Sequence, residues 1–422
     1  MAKQDHSRRQ FLASAGIASF QIVAPHVVGA GDKPPPSETY TNAVIGLGRG
    51  NGFINKGGKT IAVCDVDASR LKRGLKKAGT DCKAYADFRE VIDRPDIDEI
   101  RVLTPPHWHA LISIHAARAG KDVFCEKPLT RSIGEGRALV ETIDRYGCNF
   151  RYGAHNGGTP ADWIRKAVYS GILGTPLTIY QSDKLGCQFK VRQWTGMVNQ
   201  VPEPVPEILD WDLYLGPAPA KPYHKHRTHG SFRGYWDYDG GGLADMGAHM
   251  FNQAVPAMGK EHTSPVRIVA DAPPAHDDAV GIWYTVRLTY ADGTTLVLDS
   301  GCRDKEPNLL PDGGRVFIEG PKGRLIMDPD KSFRTDPAPL LDELRHVRAP
   351  ADYSRLRGLS PAMHQVVLAH RITSIMNLSN LAIRAGREIR FDPIREQVIG
   401  DSEANRMILP PMRAPWQIYS QT

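Results

Sequence analysis

Short apolar runs alternate with amphipathic segments over the part of the chain that follows residue 40. The apolar runs predict buried strands at residues 43–45, 61–64, 83–85, 99–103, 122–125 and 149–153. The segments between them predict helices at residues 69–78, 87–93, 108–119 and 134–146. Strand and helix alternate in this way in a doubly wound parallel sheet, so the pattern predicts an α/β domain over residues 41–153.

The pattern changes beyond residue 153, where strands follow one another directly. After a predicted helix at 161–170 and a strand at 177–182, two hairpins are expected around the turns Asp292-Gly293 and Lys322-Gly323. Hairpins predict an antiparallel sheet, so residues 154–350 are expected to form an α+β domain that carries the substrate site. Residues 351–422 contain a long helical segment at 363–385, which is expected to pack back on the core.

The length of the chain indicates how many domains to expect, and its charge distribution indicates which class of partner not to expect. A chain of 422 residues is long enough for two domains. The net charge of +6 is dispersed rather than gathered into a basic stripe, so a nucleic-acid partner is not expected.

The first thirty residues resemble a twin-arginine export signal. Arg8-Arg9 and Phe11-Leu12 precede a modestly apolar stretch that closes on the small residues Val28-Gly29-Ala30. Residues 31–40, with three consecutive prolines, are interpreted as a linker. This pattern predicts export by the twin-arginine machinery to the periplasm, with no membrane segment in the mature protein. The six cysteines show no CxxC pair, which agrees with folding in a reducing compartment before export.

A glycine-rich turn joins the first two predicted strands. Gly46 allows the tight turn, and Gly48 lets the backbone approach a pyrophosphate, with Arg49 and Gly50 completing the loop. The helix that follows is expected to offer its N–H groups to the phosphates. The alternative is a glycine-rich surface turn, and the third motif position is Asn51 rather than glycine.

An acid follows the second predicted strand at the distance that dinucleotide sites use. Asp65 is expected to bind the adenosine ribose, which favours NAD because a carboxylate would repel a 2′-phosphate. Arg70 is close enough in sequence to leave NADP possible.

Further polar residues fall at the carboxyl ends of later strands. Thr104-Pro105 follows one strand and Glu126-Lys127 follows the next. Ligands of parallel sheets bind at this edge, so these residues are expected beside the dinucleotide, together with Trp108 and His109.

Asp245 and His249 are four residues apart and would share one face of a helix. A carboxylate can orient an imidazole and raise its basicity, which suits a general base. The alternative is a helix N-terminal aspartate with a satisfied core histidine. No metal site is expected: of the histidines at 107 and 109, His109 is expected to border the nicotinamide, and those at 224, 226 and 229 lack a carboxylate at ligand spacing.

Several of these motifs together resemble the glucose-fructose oxidoreductase, inositol dehydrogenase and MocA family (Gfo/Idh/MocA). The resemblance covers roughly residues 41–416 and is carried by the Gly46 turn, Thr104-Pro105, Glu126-Lys127-Pro128 and the segments 209–219, 240–249 and 380–387. It implies that Lys127, Asp245 and His249 form the catalytic group. His249 would take a hydroxyl proton while a hydride passes to nicotinamide, and Lys127 would stabilise the developing alkoxide. The family's second domain is an open antiparallel sheet that often makes the oligomer contact, so a homo-oligomer is expected.

Aromatic and basic residues precede the glycine run at 240–242. Arg233, Tyr235 and Trp236 are expected at the substrate, where the rings could stack on a pyranose face; packing within the loop is an equal alternative. The resulting hypothesis is an oxidoreductase that acts on sugar or polyol hydroxyls with a tightly bound nicotinamide cofactor, because no free cofactor pool is expected outside the cytoplasm.

Two other functions stay open. One is a redox-neutral glycosidase or lyase that acts through a transient keto-sugar. The family resemblance implies that the glycosidase branch lacks the lysine after the glutamate, so Lys127 favours the oxidoreductase. The other is a non-catalytic nucleotide-binding regulator. Such proteins can lack the catalytic lysine or histidine, both of which are present here.

Overall fold

The first sheet has six strands, all parallel. Their spatial order is β3-β2-β1-β4-β5-β6, so the chain reverses its direction of winding between β1 and β4. The computed structural model describes residues 40–155, 158–304, 306–350 and 354–418, and the expected export signal and most of the linker lie outside these residues. The strands are Thr41–Ile45 (β1), Lys59–Cys64 (β2), Lys83–Tyr85 (β3), Glu99–Val102 (β4), Asp122–Cys125 (β5) and Phe150–Tyr152 (β6).

The helices of this part cover the faces of the sheet, as the sequence predicts. Asp67 and Asp87 cap the first two helices by accepting backbone N–H groups, and Ser132 with Glu135 forms a capping box on the fourth. Gly147, in the left-handed conformation, ends that helix. The helices are Ala68–Ala78 (α1), Phe88–Ile92 (α2), His109–Arg118 (α3) and Ile133–Tyr146 (α4). The predicted doubly wound α/β fold is confirmed.

A second sheet of nine strands follows, and it is mixed rather than purely antiparallel. Its order is β13-β12-β11-β7-β10-β9-β8-β14-β15, and both predicted hairpins, β9–β10 and β11–β12, are present. Strands β7 and β10 are parallel, and the more than one hundred residues between them provide the crossover that a parallel pair requires. The strands are Thr178–Ser182 (β7), Arg267–Asp271 (β8), Thr285–Thr289 (β9), Thr295–Asp299 (β10), Arg315–Gly320 (β11), Gly323–Met327 (β12), Phe333–Asp336 (β13), Ile389–Asp392 (β14) and Gln397–Val398 (β15).

The remaining helices pack on this sheet or connect it to the first. They are Ala161–Ser170 (α5), Trp211–Leu215 (α6), Gly241–Ala257 (α7), Leu340–His346 (α8), Pro361–Ala385 (α9) and Ser402–Arg406 (α10). Helix α9 packs against α4 and β6 on one side and against α7 on the other. By length and composition it could span a membrane, but 78% of its most apolar window is buried inside the protein, as in the core helix of a folded domain.

The two largest hydrophobic cores of the described residues both include part of α9. Val366 and Ala369 lie in the core of the first sheet, whereas Ile372 and Ile375 lie in that of the second. This shared helix brings the carboxyl edge of the first sheet next to α7, which carries Asp245 and His249.

Candidate active site

A cavity of 440 Å³ lies between the carboxyl edge of the first sheet and the residues that lead into α7. Its second-domain side includes Arg233, Asp239 and Asp245. Its first-domain side holds most of the residues that the sequence predicts there: Gly46, Gly48, Arg49, Asp65, Thr104, Pro105, Trp108, Glu126 and Lys127. The parallel sheet brings these together because each follows the end of a strand.

The backbone at the glycine turn leaves no room for a side chain. Gly46 has a φ of +90°, and a Cβ there would lie 2.6 Å from the backbone of Leu103. The helix expected after the turn is only a single 3₁₀ turn, Arg49–Gly52. Two of its four residues are glycine, which disfavours an α-helix. Gly50 is buried against Val44 and does not line the cavity.

The carboxylate of Asp65 stands at the end of β2 and shapes the same turn. One oxygen accepts the Leu47 N–H at 2.7 Å and the other accepts the Asp67 N–H at 2.9 Å. Burial raises the pKa of Asp65, and these hydrogen bonds act against that shift. A carboxylate has about four acceptor positions, so ribose hydroxyls could still bind. Arg70, whose guanidinium contacts the ring of His229, lines this end of the cavity.

Lys127 and Asp245 form a buried ion pair across the cavity. The ammonium Nζ lies 2.6 Å from Asp245 Oδ1 and 2.5 Å from the Asp245 carbonyl oxygen. The two side chains are only 2% and 3% exposed. Arg233 Nε approaches the same Oδ1 to 2.7 Å. Burial acts to raise the pKa of Asp245, but Lys127 and Arg233 outweigh it and lower the pKa to about 2.

His249 lies one helical turn beyond Asp245, but the expected pairing of the two is wrong. The Asp245 carboxylate is taken by Lys127 and Arg233, while His249 Nδ1 lies 3.2 Å from the N and 3.3 Å from the O of His155. Burial, reinforced by Lys127, lowers the pKa of His249 to about 4 rather than raising it. Its ring stacks on that of His155 and is not among the residues that line the cavity.

Three more predicted site residues lie away from the cavity. Each of the two ring nitrogens of His109 meets a backbone carbonyl, of Pro128 at 2.7 Å and of Thr104 at 2.8 Å, so His109 connects two strand ends instead of facing a ligand. The Tyr235 hydroxyl meets the ring of His226 at 2.6 Å, and Trp236 donates to the His276 carbonyl at 2.9 Å. Both aromatic side chains are buried, so the stacking interpretation is wrong and loop packing is correct.

Two acids in the lining each have one carboxylate oxygen without a hydrogen-bond partner among the described residues. Asp239 Oδ2 and Glu126 Oε2 are buried without a hydrogen bond from any described residue. Burial raises the pKa of each to about 7. Sequence reasoning placed Glu126 at the site but missed Asp239, although Asp239 directly precedes the glycine run that begins at Gly240.

In the described part of the chain, no group of three or more histidine, cysteine or acidic side chains is placed to hold a metal ion. All six cysteines are free thiols.

Comparison with known proteins assigns both halves of the chain. Residues 27–154 match the Gfo/Idh/MocA family model described as an oxidoreductase-family NAD-binding Rossmann fold. Residues 157–418 match the model for the C-terminal alpha/beta domain of the same oxidoreductases.

Individual relatives are distant. The myo-inositol 2-dehydrogenase of Thermotoga maritima is 25% identical over 302 residues, which cover 68% of this chain and 74% of the relative. A glycosyl hydrolase family 109 protein of Shewanella pealeana is 28% identical, but over 33% of this chain and only 37% of its own length. The Bordetella pertussis WlbA dehydrogenase, whose structure contains NADH and UDP-GlcNAcA, has the same fold, with a TM-score of 0.51 at 16% identity over 84% of this chain and 99% of that one.

Proposed function

This chain belongs to the Gfo/Idh/MocA family of NAD-binding oxidoreductases, and we propose that it oxidises a secondary hydroxyl group of a sugar or polyol. The observation that carries the proposal is the buried Lys127–Asp245 pair, which lines the same cavity as the Gly46 turn and Asp65. Bound NAD would supply the hydride acceptor for such an oxidation.

The residues of the first domain fit a dinucleotide. The Gly46 turn presents bare backbone to the cavity, and Asp65 stands where a ribose would need an acceptor. Thr104 Oγ1 and Glu126 Oε2, both buried without a partner among the described residues, offer further positions for the cofactor's polar groups.

Lys127 is the group that stabilises negative charge on the reacting oxygen. Its ammonium is fixed by two contacts to Asp245, so it needs no reorganisation as the alkoxide develops. The buried surroundings strengthen this electrostatic effect relative to water.

His249 is the proposed acceptor of the hydroxyl proton, and because it does not line the cavity this role requires the bound substrate to extend as far as its ring. With a pKa lowered to about 4 by burial and by Lys127, its imidazole is neutral at neutral pH. The role requires the tautomer in which Nδ1–H donates to the His155 carbonyl oxygen at 3.3 Å, since Nε2 then carries the lone pair.

A redox-neutral glycosidase or lyase reaction is the second candidate, favoured by the partial match to glycosyl hydrolase family 109. In that reaction transient oxidation to a ketone would acidify the neighbouring C–H bond. A non-catalytic nucleotide-binding regulator is the third, and it would need neither Lys127 nor His249.

One experiment separates these functions. Purified protein is incubated with NAD and a panel of sugars, polyols and aryl glycosides, while NADH absorbance, keto products and released aglycone are measured. The proposal expects a keto product together with reduction of the enzyme-bound NAD, and it expects Lys127→Ala to abolish both. Aglycone release without net NADH supports the glycosidase. Turnover that Lys127→Ala leaves intact would contradict the role assigned to Lys127, and no turnover of any probe supports the regulator.

The cofactor site has its own matched pair of variants. Gly46→Ala forces a Cβ into the Leu103 backbone, whereas a Cβ at Gly52 meets no atom within 4 Å. Gly46→Ala is therefore expected to weaken NAD binding at least about tenfold while Gly52→Ala does not. Equal affinities in the two variants would contradict the assignment of this turn to the cofactor.

The sequence pattern at residues 1–30 supports export to the periplasm with NAD already bound and retained through each cycle. Mass spectrometry of protein from the periplasmic fraction tests this, because retained NAD should co-purify. We also propose a homo-oligomer built on the nine-stranded sheet, which light scattering of the purified protein checks.

A further inference from the structure

Asp239 lies in the wall of the cavity and has one buried carboxylate oxygen without a hydrogen-bond partner among the described residues. Asp239 also borders a second, smaller cavity lined by Asn380 and Arg384. Its side chain is only 1% exposed and lines the same cavity as Lys127. Oδ1 accepts the Gly240 N–H at 2.8 Å, but Oδ2 has no hydrogen-bond partner in the described parts of the chain. The nearest cation on that side, Arg233 Nε, is 4.0 Å from Oδ2, which is too far for a hydrogen bond.

The surroundings hold this oxygen in place. Asn380 donates to the Gly240 carbonyl oxygen at 3.1 Å, and a Cβ at Gly240 would lie 2.1 Å from the Asn380 amide nitrogen. The next residue, Gly241, has a φ of +69°, which a side chain would disfavour. Arg233 is itself drawn to Asp245 at 2.7 Å. A shift of Arg233 towards Oδ2 would therefore draw its charge away from the Asp245 carboxylate.

A buried carboxylate oxygen without a donor costs free energy, and a ligand that brings a donor offsets that cost. Glu126 and Thr104 carry similar unpartnered oxygens, but both lie at strand ends of the first sheet, on the cofactor side. Asp239 stands on the opposite side, next to Arg233 and Asp245. A donor that reaches Asp239 would therefore come from the substrate.

We propose that Asp239 binds a hydroxyl group on the substrate carbon next to the one that is oxidised. This inference rests on the proposed function and specifies its substrate class as a neutral vicinal diol. Oδ2 accepts the hydrogen bond from the second hydroxyl while the first lies at Lys127. A sugar acid that carries its carboxylate at this position is disfavoured, because the charge of the neighbouring Arg233 is already paired with Asp245.

The test compares each diol with its deoxy analogue in two variants. The probes are D-glucose against 2-deoxy-D-glucose and myo-inositol against 1-deoxy-myo-inositol, added to NAD-loaded protein. Binding is measured by calorimetry and turnover by NADH absorbance. Asp237→Asn is the matched control, since Asp237 pairs with Lys221 at 3.0 Å and does not line the cavity.

The wild type and Asp237→Asn are expected to prefer the diol of at least one pair by about tenfold or more in Kd and KM. Asp239→Asn is expected to reduce that preference to less than about threefold, with little change in kcat and none in NAD affinity. A preference that survives in Asp239→Asn, or that is absent from the wild type, overturns the inference. Diol binding that depends on Asp239 without NADH formation overturns the proposed oxidation but supports the hydroxyl subsite.

Discussion

Two groups of buried charges face the same cavity and differ in how they are satisfied. The paired centre consists of Lys127, Arg233 and Asp245, which are joined by contacts of 2.6 and 2.7 Å. The unpaired rim consists of Glu126 and Asp239, each with one oxygen that lacks a hydrogen-bond partner among the described residues, although Arg233 Nε lies 4.0 Å from that oxygen of Asp239. Asp239 and Asp245 are six residues apart, yet the pKa of one is raised by burial to about 7 and that of the other is lowered by Lys127 and Arg233 to about 2.

The difference shows what burial does to a carboxyl group. Desolvation raises the pKa of both acids, and the charges of Lys127 and Arg233 lower both. Only at Asp245, which the two cations contact directly, do they outweigh burial. A permanently charged aspartate suits the task of holding an ammonium group. An acid whose oxygen is left open suits the binding of a ligand donor, because the ligand supplies what the fold does not.

Removing the ammonium group breaks the paired centre and has the largest expected effect. Lys127→Ala should lower kcat at least about a thousandfold, since the developing alkoxide loses its electrostatic partner. It should also destabilise the fold by about 3–5 kcal/mol, because Asp245 stays buried with one cation fewer. Activity assays and urea unfolding check both effects, with Lys83→Ala on the exposed edge strand β3 as the control. Near wild-type kcat in Lys127→Ala would contradict the assigned role.

Removing the guanidinium group weakens the paired centre without abolishing it. Arg233→Ala leaves Asp245 bound to Lys127, so kcat/KM should fall by about ten- to a hundredfold, less than in Lys127→Ala. The matched control is Arg324→Ala, which breaks a surface pair with Asp336. If Arg233→Ala were the more damaging variant, Arg233 rather than Lys127 would be the principal cation.

The free energy of unfolding is expected to depend on pH in opposite directions for the unpaired rim and for the paired centre. A raised pKa at Glu126 and Asp239 means that the folded state keeps protons that the unfolded state has released. Their contribution to the free energy of unfolding is therefore full below about pH 4 and declines as pH rises to about 7. Asp245 acts oppositely: its contribution is present above its unfolded pKa of 3.8 and is lost as pH falls towards 2.

Urea unfolding between pH 4 and 8 measures how Glu126 and Asp239 change the free energy of unfolding with pH. In the wild type, ionisation of Asp239 should lower the free energy of unfolding by roughly 2–4 kcal/mol over that range. Asp239→Asn should not show this decrease, because the amide does not titrate. An unchanged pH slope in Asp239→Asn would show that Asp239 is not the titrating group.

Tyr235 gives the smallest expected effect, because it lies outside both groups. Tyr235→Phe removes a hydroxyl that contacts His226 and the Met197 N–H, so a loss of about 1 kcal/mol of stability is expected with KM unchanged. Thermal unfolding and steady-state kinetics check this. A raised KM in Tyr235→Phe would instead indicate that Tyr235 contacts the substrate.

Much of this molecule was determined by local sequence. Alternating apolar and amphipathic segments specify the doubly wound sheet, and in any such sheet the carboxyl ends of the strands meet at one edge. The Gly46 turn, Asp65, Thr104 and Lys127 could therefore be assigned to one site from their order in the chain. Helical spacing likewise placed Asp245 and His249 on α7.

Only the tertiary structure decided which side chains satisfy one another. The spacing of Asp245 and His249 suggested a pair, but packing brought Lys127 and Arg233 closer to the carboxylate. The burial of Tyr235 and Trp236, the parallel pairing of β7 with β10 and the open oxygen of Asp239 also depend on residues that are distant in sequence. Local pattern specifies elements and their edges, whereas the partner of a buried charge depends on which elements pack together in three dimensions.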